Sequence, residues 1–258
     1  MNGGRGRPHL SVVIAAYNEE QRLGESLRRI GAYLGERGTD AEVLVVDDGS
    51  EDATRRIASD AMRDLRGRVL ANPENRGKGY SVRRGALEAS GRWVLLTDAD
   101  LSTPIEEVEK LSAAARDRDL DAAIGSRALP GSRVVERQSL LRESMGKTFN
   151  RMVRSATGLA FRDTQCGFKL LDRDRLRPIL ERMTIDGFAF DVELLYLCAR
   201  FGLKVEEVPV VWRHAPGSKV GLVTDPVRMV WDVTRVLWRF RRGLYNPDVE
   251  PQPSRVDS

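Results

Sequence analysis

Short apolar runs alternate along the first part of the chain with segments whose apolar residues recur every third or fourth place. Leu10-Ser-Val-Val-Ile-Ala-Ala16 is rich in β-branched residues and reads as a buried strand. It breaks off at Tyr17-Asn-Glu-Glu20, after which Leu23, Leu27, Ile30 and Leu34 fall at helical spacing. Glu42-Val-Leu-Val-Val46 predicts a second strand, and Asp47-Asp-Gly-Ser50 a turn leading into a helix from about Asp52. A third strand near Val69 precedes Asn75-Arg-Gly-Lys-Gly79, and a fourth, Val94-Leu-Leu-Thr97, runs into Asp98. Strands alternating with helices imply βαβ units and a parallel sheet, hence an α/β, Rossmann-like domain with helices flanking a mostly parallel sheet. Ligands of such sheets bind beyond the carboxyl ends of the strands. The polar clusters at Asn18, Asp47, Lys78 and Asp98 all lie at those ends and are expected to converge.

A different pattern closes the chain. Between Pro226 and Arg242, Arg228, Asp232, Arg235, Arg239 and Arg242 share a narrow sector of a helical wheel. Met229, Val230, Trp231, Val233, Val236, Leu237, Trp238 and Phe240 fill most of the remainder. So wide an apolar face must be covered, either by the domain or by a bilayer interface with Trp at headgroup level and Arg on lipid phosphates. Earlier apolar runs are too short and interrupted to span a membrane. The start, Met1-Asn-Gly-Gly-Arg-Gly-Arg-Pro8, lacks the apolar core of a signal peptide. The expected division is a disordered leader at 1–9, one domain at 10–225, an amphipathic helix at 226–244 and a disordered tail at 245–258. A cytoplasmic, peripherally membrane-associated protein follows.

Charge adds a polarity to this layout. Residues 1–126 carry 19 Lys and Arg against 22 Asp and Glu, a net −3, whereas residues 127–242 carry 22 against 13, a net +9. The cationic field therefore belongs to the second half, as suits a region that meets anionic headgroups or a lipid phosphate. The 38 acidic residues and the lack of a nucleic-acid module argue against nucleic acid as the partner. At 258 residues and 41% hydrophobic content, one sizeable α/β domain is affordable without a linker or repeat. Cys166 and Cys198 read as buried thiols, His9 as a surface residue and His214 as a loop side chain that either contacts phosphate or is solvated.

Asp98 and Asp100 carry the most pointed chemistry. One residue apart at a strand's end, they are expected to point the same way and to hold one divalent cation, Mg²⁺ or Mn²⁺. Such an ion takes its remaining ligands from water and from a substrate's phosphates, so the pair reads as a diphosphate anchor. No Gly-x-Gly-x-x-Gly follows the first strand, and Asn75–Gly79 lacks the spacing of a P-loop, which excludes dinucleotide and ordinary ATP cradles. Phosphates would be held by metal and side chains, with Lys78 among them. Taken singly, Asp47-Asp48 is as well explained by helix capping and Lys78 by a solvated loop.

In this order the motifs resemble those of the family 2 inverting glycosyltransferases of GT-A fold. Ala15-Ala-Tyr-Asn-Glu19, Val46-Asp-Asp-Gly-Ser50, Asn75-Arg-Gly-Lys-Gly79 and Thr97-Asp-Ala-Asp-Leu101 carry the family resemblance. Gly125-Ser-Arg127, Thr164-Gln-Cys-Gly-Phe-Lys169 and Gly217-Ser-Lys-Val220 are similar to the polyprenyl-phosphate sugar synthases, first the dolichyl-phosphate glucosyltransferases and then the mannosyl enzymes. The resemblance implies that Ala15, Tyr17, Glu19 and Asp47 bracket the nucleoside, that Lys78 faces the donor, and that Asp98 and Asp100 bind metal and diphosphate. It implies further that Arg127 and Arg142 hold the acceptor phosphate and that Arg213 and Lys219 close over the phosphates. Ser102 stands where mannosyl relatives often carry Gln and is not taken as a metal ligand.

The expected reaction is in-line displacement at the sugar's anomeric carbon by a polyprenyl-phosphate oxygen, with UDP-glucose as the favoured donor and inversion of configuration. GDP-mannose is the alternative donor. A soluble hydroxyl acceptor is the alternative acceptor, and it alone would need Asp191, in Gly187-Phe-Ala-Phe-Asp-Val-Glu193, as a general base. A nucleotidyltransferase would want a Gly-rich loop after the first strand. A receiver domain with Asp47 as phosphoacceptor leaves Asp98 and Asp100 unexplained.

Overall fold

In the first half, the strands and helices form where the apolar pattern places them. The computed structural model describes residues 7–135, 140–214 and 224–246, with the backbone alone for 140–143 and 225. The chain runs β1 (Leu10–Ala16), α1 (Leu23–Arg37), β2 (Ala41–Asp47), α2 (Thr54–Ala61), β3 (Gly67–Ala71), α3 (Lys78–Glu88) and β4 (Trp93–Asp98). After a 3₁₀ turn at Ile105–Glu107 come α4 (Val108–Asp117), β5 (Ala122–Ser126), β6 (Arg133–Val134), α5 (Leu140–Thr157), β7 (Lys169–Asp172) and α6 (Arg173–Arg182). The described chain ends with α7 (Phe190–Arg200), β8 (Val205–Pro209), β9 (Val211–Trp212) and α8 (Thr224–Arg241).

Seven strands form the central sheet in the order β3-β2-β1-β4-β7-β5-β8, while β6 and β9 pair as a separate parallel ribbon. Only β7 runs against its neighbours, antiparallel to both β4 and β5. The fold is thus the expected α/β architecture with a mostly parallel sheet. Strand alternation divides the core into two layers. Val12 and Ile14 of β1, Val43 and Val45 of β2 and Leu95 of β4 face α1, α2 and α4. Val13, Leu44, Val94 and Leu96 face α3, α6, α7 and α8. Leu23, Leu27, Ile30 and Leu34 form the buried stripe of α1, as their spacing requires.

Residues 7–9 and 245, expected to belong to disordered ends, are part of the fold. Arg7 donates to Asp174 at 2.9 Å and Pro8 is buried, so residues 7–9 are held against the domain. Tyr245 is 1% exposed and its hydroxyl donates to Glu193 Oε1 at 2.6 Å, so residue 245 belongs to the fold. Helix α8 also differs from its helical-wheel reading. Its buried ridge is Met229, Val233 and Val236, packed toward α5 and α7, and Arg239 is buried with its guanidinium over the Tyr245 ring. Its solvent ridge is apolar: Val227, Val230, Trp231 and Trp238 are exposed, Trp231 by 72%. Among the described residues no helix is long and apolar enough to cross a membrane.

Candidate active site

The carboxyl ends of β1, β2 and β4 open into a cleft of about 600 Å³ at the point where the strand order turns from β1 outward in both directions. Loops at these ends are cross-tied. Asn18, with a left-handed φ of 52°, donates its backbone N–H to Ser50 Oγ at 3.0 Å and accepts from the Glu51 N–H at 3.0 Å. The Glu19 N–H donates to Thr54 Oγ1 at 2.7 Å. The first loop is thereby fixed on the second, and Ala15, Tyr17 and Glu19 are brought to the cleft wall.

Asp48 organises the next loop. Its Oδ1 accepts from Asn72 Nδ2 at 2.6 Å and from the Arg76 N–H at 3.0 Å, and its Oδ2 from the Gly77 N–H at 2.9 Å. Gly77 adopts φ 101°, and a Cβ there would lie 2.4 Å from the Asp186 carbonyl oxygen, so both conformation and space require glycine. Lys78 then opens α3 with its Nζ 2.6 Å from Asp98 Oδ1.

Asp98 is the last residue of β4, whereas Asp100 lies in the following turn. Their convergence on one cleft is therefore the work of that turn and not of the strand's pleat. Leu101 takes a φ of 46°, its N–H returns to the Asp98 carbonyl, and the Ser102 N–H donates to Asp100 Oδ1 at 2.9 Å. Burial would raise the Asp98 carboxyl, but the Lys78 ammonium and the more distant Lys169 and Arg127 outweigh it and hold it below the ordinary carboxylate range. The same pairing holds Lys78 above the ordinary ammonium range against the opposing effect of burial. Arg22 forks onto Glu19 at 2.6 Å and comes within 3.6 Å of Asp100. Gly167 presses its backbone against Asp98: a Cβ there would lie 2.3 Å from Oδ2.

The structure thus brings Ala15, Tyr17, Glu19, Lys78, Asp98, Asp100 and Arg127 to one cleft, with Ser102 and His214 beside them. Other expected residues lie elsewhere. Asp47 is buried beneath its own turn, accepting from the Ser50 N–H, and Asp48 lines the cleft in its place. Arg213 is exposed off the cleft wall, with its N–H donating to the Ser102 carbonyl. Lys219 and the side chain of Arg142 lie outside the described residues. Asp191 is buried behind the cleft, its Oδ1 2.5 Å from the Nζ of Lys169, itself wholly buried. Burial dominates and raises the Asp191 carboxyl despite Lys169 and Lys78.

Arg127 also carries a partner that its motif does not announce. Its Nε and Nη2 reach Asp163 at 2.7 and 2.8 Å, and its guanidinium stands 5.5 Å from the Trp212 ring centroid. Asp163 and Lys169 were given no site role from the sequence, and Asp48, Arg228 and Asp232 were read there only as part of a turn and of a helical sector. Lys169 stands inside the run Phe168–Leu171, a placement that marks it as unusual without naming its partner.

Solved structures share the architecture. Glucosyl-3-phosphoglycerate synthase from Mycobacterium tuberculosis, in complex with Mn²⁺, uridine diphosphate and glucosyl-3-phosphoglycerate, superposes with a TM-score of 0.67 at 20% identity, over 92% of this chain and 80% of that one. At that identity the likeness is one of fold. The chain belongs to glycosyl transferase family 2, whose model matches residues 11–180. Among its relatives, the dolichyl-phosphate beta-glucosyltransferase of Drosophila melanogaster is 38% identical over 249 residues, covering 92% of this chain and 76% of that protein. The protein of the same name from Dictyostelium discoideum is 33% identical over the same shares of each chain.

Proposed function

We propose that the protein transfers glucose from UDP-glucose to dolichyl or another polyprenyl monophosphate with inversion, at the cytoplasmic face of a membrane. One observation carries the reading. The identity to dolichyl-phosphate beta-glucosyltransferases covers 92% of the chain, so it extends well past residue 180 into the basic half that meets the acceptor.

The cleft suits a divalent cation, Mg²⁺ or Mn²⁺, held by Asp98 and Asp100. Both are hard oxygen donors, Asp98 is kept ionised by its surroundings, and in the structure their charge is answered by Lys78 and Arg22. A bound ion there supplies charge stabilisation to a departing diphosphate. Lys78, at the N-terminus of α3, offers a second positive charge to the same leaving group. Ala15, Tyr17 and Glu19 form the wall on which the nucleoside rests.

The acceptor chemistry explains why no base lines the cleft at Asp191. A phosphate monoester has its second pKa near roughly 6 and is already largely dianionic near neutral pH, so the attacking oxygen carries no proton to remove. The leading alternative, a GDP-mannose donor, uses the same cleft. The test is a donor-by-acceptor assay scored by product mass. UDP-glucose with a prenyl phosphate should give a hexosyl prenyl phosphate, GDP-mannose much less, and chelator should abolish both. Preferred transfer from GDP-mannose, or transfer only to soluble hydroxyl acceptors, would overturn the assignment.

A further inference from the structure

Four described cations with Lys or Arg side chains line the cleft: Arg22, Lys78, Arg127 and Arg228. Three are already committed to carboxylates. Lys78 meets Asp98, Arg22 meets Glu19 and Asp100, and Arg127 forks onto Asp163. Arg228 is the exception, with no carboxylate in ion-pair range among the described residues. An incoming anion meets a carboxylate in ion-pair range at each of the first three, whereas at Arg228, which is coupled to Asp232 only through space, no such pair among the described residues has to be broken. Donor and acceptor each bring phosphate. The region around Asp98 suits the donor's diphosphate, which leaves the acceptor's phosphate in need of a cation of its own.

Arg228 belongs to α8, the helix whose solvent ridge is Val227, Val230, Trp231 and Trp238. It is exposed itself, one position from Val227 and three from Trp231, which puts Arg228 and Trp231 on adjacent rows about 4.5 Å apart along the axis. Arg235, Arg241 and Arg242 are exposed beside the same ridge, and Arg242 stands over the Trp238 ring at 5.5 Å. An apolar ridge with tryptophans and flanking arginines matches one partner chemistry, an anionic lipid surface. Met229 and Asp232, from the other side of the helix, line the cleft with Arg228.

Building on the lipid-phosphate reading above, we propose that Arg228 binds the acceptor's phosphate and that α8 joins the membrane surface to the cleft. The phosphate enters at Arg228 while the prenyl chain stays along Val227, Val230 and Trp231. One helix thus sets both the depth at which the domain sits on lipid and the point at which the acceptor's head enters.

The test separates the two halves of the proposal. With a water-soluble short-chain prenyl phosphate and no vesicles, Arg228→Ala should raise the acceptor KM by about tenfold or more, as for a lost charge-assisted hydrogen bond, and leave the UDP-glucose KM within about twofold. Arg228→Lys should recover part of that loss, and both variants should keep the wild-type melting profile. The double variant Trp231→Ala, Trp238→Ala should lose most of its sedimentation with vesicles of anionic phospholipid that contain no acceptor. An unchanged acceptor KM in Arg228→Ala, or equal rises for both substrates, would overturn the phosphate assignment. Undiminished vesicle binding by the tryptophan variant would overturn the membrane assignment. If the wild-type enzyme glucosylates no prenyl phosphate at all, the failure belongs to the functional reading on which the inference rests.

Discussion

Asp191, which a hydroxyl acceptor would need as a base, is buried behind the cleft wall and paired with Lys169. Its carboxylate faces Lys169 across 2.5 Å, and Lys169 Nζ also donates to the Cys166 carbonyl at 2.5 Å, behind the wall that carries Asp98. Asp191→Asn would leave the Lys169 ammonium without its counter-charge, a cost on the order of 3–5 kcal/mol. That corresponds to a Tm lower by roughly 10 °C for a chain of this size. The folded variant should nonetheless transfer sugar to prenyl phosphate within about tenfold of wild type, since loss of a general base typically costs about 10²- to 10⁴-fold. Thermal melts and kcat measured well below the transition check both halves. At this scale Asp98, Asp100 and Lys78 were legible because their motifs place charge at strand ends. Lys169 and Asp163 were not, since a partner 22 or 36 positions away is fixed only by the fold.

Helix α8 is the element whose chemistry depends most on its neighbours. Asp232 lies between the cleft and the buried Glu193, and burial raises its carboxyl to about 6. Arg235 and Arg228 act against that rise, Glu193 and Asp186 with it. A carboxyl raised above its ordinary value of 3.8 favours the folded state when protonated. Its contribution is complete below that ordinary value and is lost as pH rises through about 6. Asp232→Asn carries no such loss. Its Tm relative to wild type should therefore climb between about pH 4 and pH 6.5 and stay level above. A difference that is flat or falling across that window would contradict the environment described for α8. Strands β1, β2 and β4 could be read from the sequence because each is an apolar run with a polar stop, and β3, with Arg68 inside it, only from its place between two helical segments. Strand β7 could not be, since four residues inserted antiparallel between β4 and β5 leave no periodicity of their own. The helical wheel located α8 but not its orientation. Packing against α5 and α7 buried Met229, Val233 and Val236 and left the tryptophans outside, a choice made by the partner helices.

For the molecule as a whole, the two halves of the charge distribution share the lining of one cleft. The acidic first half supplies Glu19, Asp48, Asp98 and Asp100 to its wall, and the basic second half supplies Arg127 and Arg228, with the exposed ridge of α8 beside them. In the proposed reaction a phosphate oxygen of a lipid acceptor displaces UDP from the anomeric carbon of glucose. The structure of the product tests this most directly. Nuclear magnetic resonance of the product from UDP-glucose, whose anomeric centre is α, should show the anomeric proton coupled to phosphorus and a β-configured glucose. An α product, or an anomeric carbon joined to a hydroxyl oxygen with no coupling to phosphorus, would contradict it.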